Sequence, residues 1–489
     1  MLNLIVFIPL LAAIAILLGA PARKTALGAA VAGFVLSLLA FLSYDKAQGG
    51  FQFLSSHSIA PEWKLNYAVG ADGLSLLMLL LTGIVTLAAI WVTPKIEKRE
   101  NLFYACVLFI AAGAAGAFAS VDLFFFYAFH ELALIPTFLL IGIWGSGERH
   151  TAAWKITIYL GLGSFVLLIG LLDLYLAIPE ASRTFSLIEL QRLAAEGIIP
   201  AAAQSRPYFL LLIGFGTLIS LFPFHSWAPT AYASAPTPAA MLHAGVLKKF
   251  GLYGLIRIAL PLLPEGAKVW TDVLLVLLVG NIIYIGLVTI AQKKLDLLLG
   301  YSSVMHMGYI FLGIAAFNVV GVSGAALLMF AHGLSIAALF AMAGMLREKN
   351  PTLSLNGFGG VARSMPWLAF AFGLAAFASI GLPGFANFAS ELAVFFGAFR
   401  PAAGLSEANF QLATVFALWG VVISAVYMLR AYRAIFMGEP GKDTTSWIDP
   451  VKMMRWPVTL LLALLLIAGF APRVFLAYVQ PSVQALLPK

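Results

Sequence analysis

Cysteine is nearly absent: the 489 residues include one, Cys106, inside an apolar run. That excludes an intrachain disulfide framework and any cysteine cluster for zinc or an iron–sulfur centre, so redox chemistry of that kind lies in other chains. Charge is scarce as well. Only 10% of residues are Asp, Glu, Lys or Arg, against about 25% in an average globular domain. No metal-ligand spacing, glycine-rich phosphate loop or nucleophile–base arrangement occurs. "GFGTL" is too short for a dinucleotide fingerprint, and "HEL" and "HAG" are not zinc motifs. The alternating ten-residue segments of a membrane β-barrel are missing too.

What is present is apolar length. Hydrophobic residues make up 62% of the chain and its mean hydropathy is +0.98. Runs of about 20 apolar residues recur from end to end, the length a helix needs to cross the hydrocarbon core. The expectation is an all-α polytopic membrane protein, residues 1–489 forming a single membrane domain with about 14 transmembrane helices. The first run lacks a basic n-region and reads as a retained helix, not a cleaved signal. A final transmembrane helix is expected over 456–479. The formal charge of +8 fits loop bias that sets topology, and no nucleic acid is implied. Sorting Lys and Arg by side puts 17 on one face and 9 on the other, Lys442 among the first and Lys489 among the second. The positive-inside rule then places the richer face in the cytoplasm and both termini on the periplasmic side of a cell (inner) membrane.

Two spans, the seventh and the twelfth, look interrupted. One reads "LISLFPFHSWAPTAYASAPTP", with Pro223, Pro229, Pro236 and Pro238; the other reads "FASIGLPGFANFASELAVFF", with Gly381, Pro383 and Gly384. Proline removes a backbone donor, and freed backbone groups at membrane depth need protein or a wet cavity around them. Breaks five spans apart suggest two five-helix repeats, 101–262 and 271–437, and an odd number of spans per repeat makes them inverted, a transporter signature. Simple kinks are the other reading.

Ionisable residues then stand out against the apolar background. If the eighth span starts near Pro238, Lys249 lies about 16 Å in, near the midplane, where a charge costs on the order of 2.5–3.5 kcal/mol. Lys248 is its neighbour, and two adjacent ammonium groups repel. Glu131 and Glu391 also fall inside apolar runs, as do, in or beside them, His130, His225, His243, His306 and His332. An unpaired intramembrane charge has few structural uses, so Glu131, Lys249 and Glu391 read as functional; each histidine alone reads equally as a core hydrogen-bonder. Asp72, Asp122 and Lys155 sit near span ends, where capping or solvation is expected. The pattern favours a proton path.

The stretches "FHELALIPTFLLIGIWG", "FPFHSWAPTAYASAPT", "AGVLKKFGLYGLIR", "GYSSVMHMGYIFLGI", "MFAHGLSIAALF", "GLPGFANFASELAVFFGAF" and "AVYMLRAYRAIFMG" together resemble the antiporter-like, proton-pumping subunits of respiratory complex I. The M branch of that family, the counterpart of mitochondrial subunit 4, is the nearest in pattern. The likeness runs from about residue 70 to 440. It implies fourteen helices with two inverted repeats and broken helices 7 and 12. It assigns Glu131 to the fifth-helix glutamate, Lys249 to the eighth-helix lysine, His306 and His332 to the linking histidines, and Glu391 to the twelfth-helix acid. It implies that flavin, iron–sulfur clusters and quinone belong to partner subunits and none to this chain. The implied partners are other membrane-arm subunits, the lipid bilayer and protons.

The sequence departs from the family's pattern at several positions. Leu218 stands where the family usually has a lysine on the broken seventh helix. Lys248 occupies a usually apolar position and is expected to supply the missing positive charge to Glu131; local snorkelling or a lipid contact is the alternative. Lys294 and Asp296 reverse the usual acid-then-base order of a loop ion pair, and His130 stands where tryptophan is frequent. Competing readings are a subunit of a multisubunit sodium/proton antiporter or membrane-bound hydrogenase, a self-contained solute transporter, and a scaffold that no longer pumps.

Overall fold

The computed structural model describes residues 1–440 and 444–487; Lys442 and Lys489, counted in the charge sorting, lie outside them. The helices are α1 (Leu2–Leu17), α2 (Ala22–Ser43), α3 (Gly73–Val92), α4 (Glu100–Ala119), α5 (Leu123–Trp144), α6 (Arg149–Leu176), α7 (Leu187–Ala195), α8 (Ala201–Ile219) and α9 (Trp227–Ser234). They continue with α10 (237–262), α11 (Pro264–Ile290), α12 (Leu295–Ala315), α13 (Val319–Arg347), α14 (Pro366–Ile380), α15 (Ala386–Phe399), α16 (Glu407–Phe436), α17 (Lys452–Phe470) and α18 (Pro472–Leu486). Ten of these are long and apolar enough to cross a membrane among the described residues.

Helix starts follow local chemistry. The Asp72 carboxylate accepts the Ser75 N–H at 3.0 Å at the head of α3, and Asp122 accepts the Phe124 and Phe125 N–H groups at the head of α5. Capping was expected of both residues, but both are buried, not solvated.

The all-helical expectation needs one correction. β1 (Gln52–Ala60) and β2 (Leu65–Ala71) form an antiparallel hairpin, pairing Ser55 with Val69 and His57 with Tyr67. Its turn runs through Pro61–Trp63 and Lys64, which takes a left-handed φ of 52°. The segment is too short and too polar to cross a bilayer, so hydropathy reads it only as loop.

Burial divides the bundle. The helices α3 and α13 are enclosed along their whole apolar windows and α4 and α12 along 89% of theirs, whereas only about a third to two-fifths of α5, α6, α16 and α17 is covered. Two of the enclosed helices, α12 and α13, carry the buried His306 and His332.

Both predicted interruptions are present. The helix α8 stops at Ile219, where Ser220 takes φ 72°, and the chain restarts as α9 at Trp227. The Trp227 indole N–H donates to the Thr217 carbonyl at 3.0 Å, and the buried Asn281 amide spans the break, accepting from the Phe222 N–H at 2.6 Å and donating to the Ser220 carbonyl at 3.2 Å. The helix α14 stops at Ile380, with Gly381 at φ 82°. There the Gly381 N–H bonds the Ala378 carbonyl and the Leu382 N–H bonds the Phe377 carbonyl, closing the helix as a Schellman turn.

The last span differs from expectation. The stretch 456–479 is divided at Ala471, where α17 gives way to α18 starting at Pro472, because proline at that point cannot donate back into the preceding turn.

Candidate functional site

The helix α10 contains two π-helical turns, 243–247 and 255–259. In the first, the Lys248 N–H reaches back five residues to the His243 carbonyl at 3.1 Å. Such a wide turn leaves carbonyls imperfectly paired within the helix. Lys249 uses one: its Nζ donates to the Ala244 carbonyl at 2.6 Å while facing His332 Nδ1 on α13 at 3.0 Å. Lys249 is fully buried and His332 is 2% exposed. A hydrogen bond between two nitrogens needs one donor and one acceptor, so this contact holds a single proton between Nζ and Nδ1.

The line continues to α12. The His306 ring lies 5.6 Å from that of His332, centroid to centroid. Its Nδ1 and Nε2 each face a backbone carbonyl at 2.8 Å, those of Ser302 and Ser379. Ser379 is in the last turn of α14, where helix carbonyls lack intrahelical partners. The break that sequence located thus ends on an imidazole. Across it, on α15, Glu391 is 3% exposed. Its Oε2 rests against Gly381, leaving no space for a Cβ there, and its Oε1 has no hydrogen-bond partner among the described residues.

The expected Lys248–Glu131 pairing is not formed. Lys248 is 1% exposed, so it neither snorkels nor meets lipid; its Nζ lies 3.4 Å from Ser303 Oγ and 5.3 Å above the Tyr232 ring. Adjacent helical residues diverge by about 100°, which sends Lys248 toward α9 and α12 and Lys249 toward α13. Glu131 instead takes His130 Nδ1 at 3.3 Å and the Ser164 hydroxyl, and its side chain is 33% exposed at the edge of the bundle. The His130 ring stacks on Phe250 at 4.1 Å.

Leu218 is buried in a small cavity lined by His130, Thr137, His243 and Leu247. An apolar side chain therefore lines the same small space as His130 and His243, where the family usually places a lysine; His243 bonds the Tyr232 hydroxyl at 3.4 Å. His225 sits apart from the line, in the α8–α9 break, stacked on Phe222. The reversed Lys294–Asp296 loop pair is also replaced: Asp296 pairs with Arg347 at 3.0 Å, and Arg347 donates to the Ala233 and Ala235 carbonyls at the end of α9.

One buried cluster escaped the sequence reading. Arg257 on α10 meets Asp72 at 2.5 Å, with the Tyr253 and Ser75 hydroxyls each 3.3 Å away and 2.8 Å from one another. The available signal was the four-residue spacing of Lys249, Tyr253 and Arg257 on one helix face; the partner, 185 residues away in sequence, gave none. Among the described residues, no group of three or more His, Cys, Asp or Glu side chains is placed to hold a metal.

A family model described as NADH:quinone oxidoreductase/Mrp antiporter, TM, matches residues 120–418. A protein of Microcystis aeruginosa named NAD(P)H-quinone oxidoreductase chain 4 2 is 37% identical over 92% of this chain and 82% of its own length. A chain in the structure of respiratory complex I from Thermus thermophilus with bound NADH superposes with a TM-score of 0.89 at 29% identity, covering 100% of both chains. A chain of an archaeal membrane-bound sulfane sulfur reductase shares the fold, with a TM-score of 0.86 at 22% identity, covering 99% of this chain and 97% of its own. With the family match covering more than half its length and relatives of this identity spanning nearly all of it, the chain belongs to the transmembrane family of NADH:quinone oxidoreductase and Mrp antiporter subunits.

Proposed function

We propose that this chain is the proton-translocating membrane-arm subunit of an NADH:quinone oxidoreductase of the complex I type. The observation that carries the reading is the buried line from Lys249 Nζ through His332 and His306 to the broken helix that bears Glu391. The names and coverage of the chain 4 relatives support it.

Fourteen spans follow from adding four crossings to the ten membrane-length helices: α1, the broken α8–α9, the π-turned α10 and the broken α14–α15. Two inverted repeats, 101–262 and 271–437, are supported by the matching place of the breaks, each at the fourth crossing of its repeat and each with a left-handed residue at the stop. An even count puts both termini on one side, and the charge sorting makes that side periplasmic. Flavin, iron–sulfur clusters and quinone reside in partner subunits.

The mechanism is electrostatic. Lys249 takes up a proton from the cytoplasmic side through the first repeat. The Glu131–His130 pair tunes its affinity, since a carboxylate moved toward an ammonium favours the charged form. Lys248, a second ammonium one residue away, opposes charge on Lys249 and promotes release. The proton crosses to His332 Nδ1, then to His306 and Glu391, and leaves outward. His243 and His225 serve the supply side.

The test is a Lys249→Ala variant of the assembled complex in proteoliposomes, with protons moved per quinone reduced as the readout. The expected outcome is a lower ratio in a complex that still assembles and reduces quinone. A wild-type ratio rejects the reading.

A further inference from the structure

Asp72 and Arg257 take no part in the line from Lys249 to Glu391, yet both are buried. Arg257 follows Lys249 by eight residues on α10, about 12 Å along the helix at 1.5 Å per residue, toward the face that the charge sorting makes periplasmic. A hydrocarbon core about 30 Å thick still encloses it there. Apolar residues of similar volume hold helices together as well as a buried ion pair does, so stability alone does not account for two charges in this place.

The hydrogen bonds around Arg257 point to another use. Lys249, Tyr253 and Arg257 are spaced by four residues, which makes them neighbours along one helix face. The Tyr253 hydroxyl donates to the Phe118 carbonyl on α4 at 3.2 Å and lies 2.8 Å from Ser75 Oγ on α3. A hydroxyl has one proton, so Ser75 is the donor in the second contact. The Tyr253 oxygen also accepts from Arg257 Nε at 3.3 Å, and both its lone pairs are then occupied. Arg257 Nη2 donates to Ser75 Oγ at 3.3 Å and to Asp72 Oδ1 at 2.5 Å. Tyr253, Ser75 and Asp72 thus form a string of oxygens leading outward from Lys249, and the guanidinium fills an acceptor position on each. A guanidinium has five N–H donors, no acceptor, and does not deprotonate, so it neither takes up a proton nor passes one on. The outer end of the string is covered too. The Phe51 ring lies 4.8 Å from the guanidinium carbon. The helix α18 sits directly on the head of α3, where the Gly73 N–H donates to Ser482 Oγ at 3.0 Å and a Cβ on Gly73 would meet the Tyr478 carbonyl.

We propose that Arg257 is the outer seal of the first repeat, a donor-only group that keeps the proton on Lys249 from escaping straight to the periplasmic side and so commits it to His332. This rests on the reading of Lys249 as a carrier of the translocated proton. Arg257 meets no travelling proton itself; it is a positioning residue that acts through Tyr253, Ser75 and Asp72. Without it those oxygens regain free lone pairs. One proton then leaves Lys249 for the string and one leaves the outer end of the string for water. The string keeps its atoms and charge, no electron moves, and the proton crosses without quinone being reduced.

The test uses Arg257→Gln, Arg257→Lys, Lys249→Ala and the double variant K249A/R257Q, all in the assembled complex in proteoliposomes. The readouts are the rate at which an imposed pH gradient collapses without quinone turnover, the factor by which a protonophore accelerates quinone reduction, and protons moved per quinone reduced. R257Q, whose amide offers acceptors as well as donors, is expected to collapse the gradient several-fold faster than wild type and to lose the protonophore stimulation. R257K, whose ammonium is again donor-only, is expected to restore both, and K249A/R257Q to be tight. An R257Q complex as tight as wild type refutes the seal and leaves the Lys249 route standing. A leak in R257Q that persists in K249A/R257Q also refutes it, because a damaged fold leaks without regard to Lys249. K249A moving as many protons per quinone as wild type overturns the route, and the seal with it. Should R257Q not assemble, D72N/R257M, which lacks the donor-only group and leaves no buried charge, carries the decision with the same expected leak and the same dependence on Lys249.

Discussion

Arg257 and Asp72 allow a prediction whose size and pH dependence both follow from the structure. Their side chains are 1% and 4% exposed and meet at 2.5 Å. Replacing Arg257 by Leu leaves a buried carboxylate with no cation, a change that costs about 3–5 kcal/mol in comparable buried pairs. Asp72 has an escape, because it can take a proton. Protonating a carboxyl of ordinary pKa near 3.9 costs roughly 4 kcal/mol at pH 7 and roughly 1.5 kcal/mol at pH 5, at 1.36 kcal/mol per unit. The defect of Arg257→Leu is thus capped and shrinks as pH falls. Asp72→Leu has no such escape, because an unpaired guanidinium does not deprotonate, and it also strips the cap from α3, worth about 1 kcal/mol. It is expected to be the more damaging variant at every pH, with no relief in acid. The double variant D72N/R257M, neutral and still able to cap, is expected to be milder than either.

The lone thiol supplies the assay. Cys106 is 2% exposed, so its labelling rate in detergent-solubilised protein reports opening of the fold, compared with wild type at the same pH. When reclosing is faster than labelling, the rate ratio follows the opening free energy. For R257L that ratio is expected to be about 10³ at pH 7, falling to about tenfold at pH 5. A ratio that does not fall with pH, or an Asp72→Leu variant milder than R257L, refutes the reasoning.

Three further outcomes are expected. Gly381→Ala forces a Cβ onto a residue at φ 82° and against Glu391 Oε2, so pumping is expected to fall and stability to drop by about 1 kcal/mol or more; unchanged pumping would show that Glu391 does not need this position. Asn281→Leu strands the Phe222 N–H and the Ser220 carbonyl, at about 1–3 kcal/mol per orphaned group, and hydrogen exchange across residues 219–226 is expected to quicken while exchange in α3 does not. Lys248→Met removes an ammonium whose partners are a hydroxyl and an aromatic face; slower Cys106 labelling together with weaker pumping is expected, and faster labelling would show that the lysine stabilises the fold.

Several features of the site could be read before any coordinates. Proline and glycine marked both breaks, because an interrupted helix has few ways to be written in sequence. Lys249, Glu131 and Glu391 stood out because a charge at mid-span has no cheap explanation. The pairings could not be read. Lys248 and Lys249 are one residue apart, yet one faces Ser303 and Tyr232 and the other His332. Glu131 found its partner one residue away in His130, and Asp296 found Arg347 across two helix ends in place of Lys294. The hairpin at 52–71 and the division at Ala471 were missed because neither leaves a mark on a hydropathy window.

The sequence by itself determined that the chain is a membrane-spanning helical protein, where its helices break and which ionisable groups are carried to depth, since each of these is a property of a residue or of a run of residues. Only the tertiary structure decided which faces are enclosed and which groups share a proton. The least apolar membrane-length helix, α12 at a hydropathy of 1.5, is 89% buried, while the most apolar, α11 at 2.6, is 44% buried. Lipid and protein interior are alike in polarity, so hydropathy does not separate them. The contacts that make a proton line, His332 to Lys249 and His306 to Ser379, join residues more than 70 positions apart, and only packing brings them together.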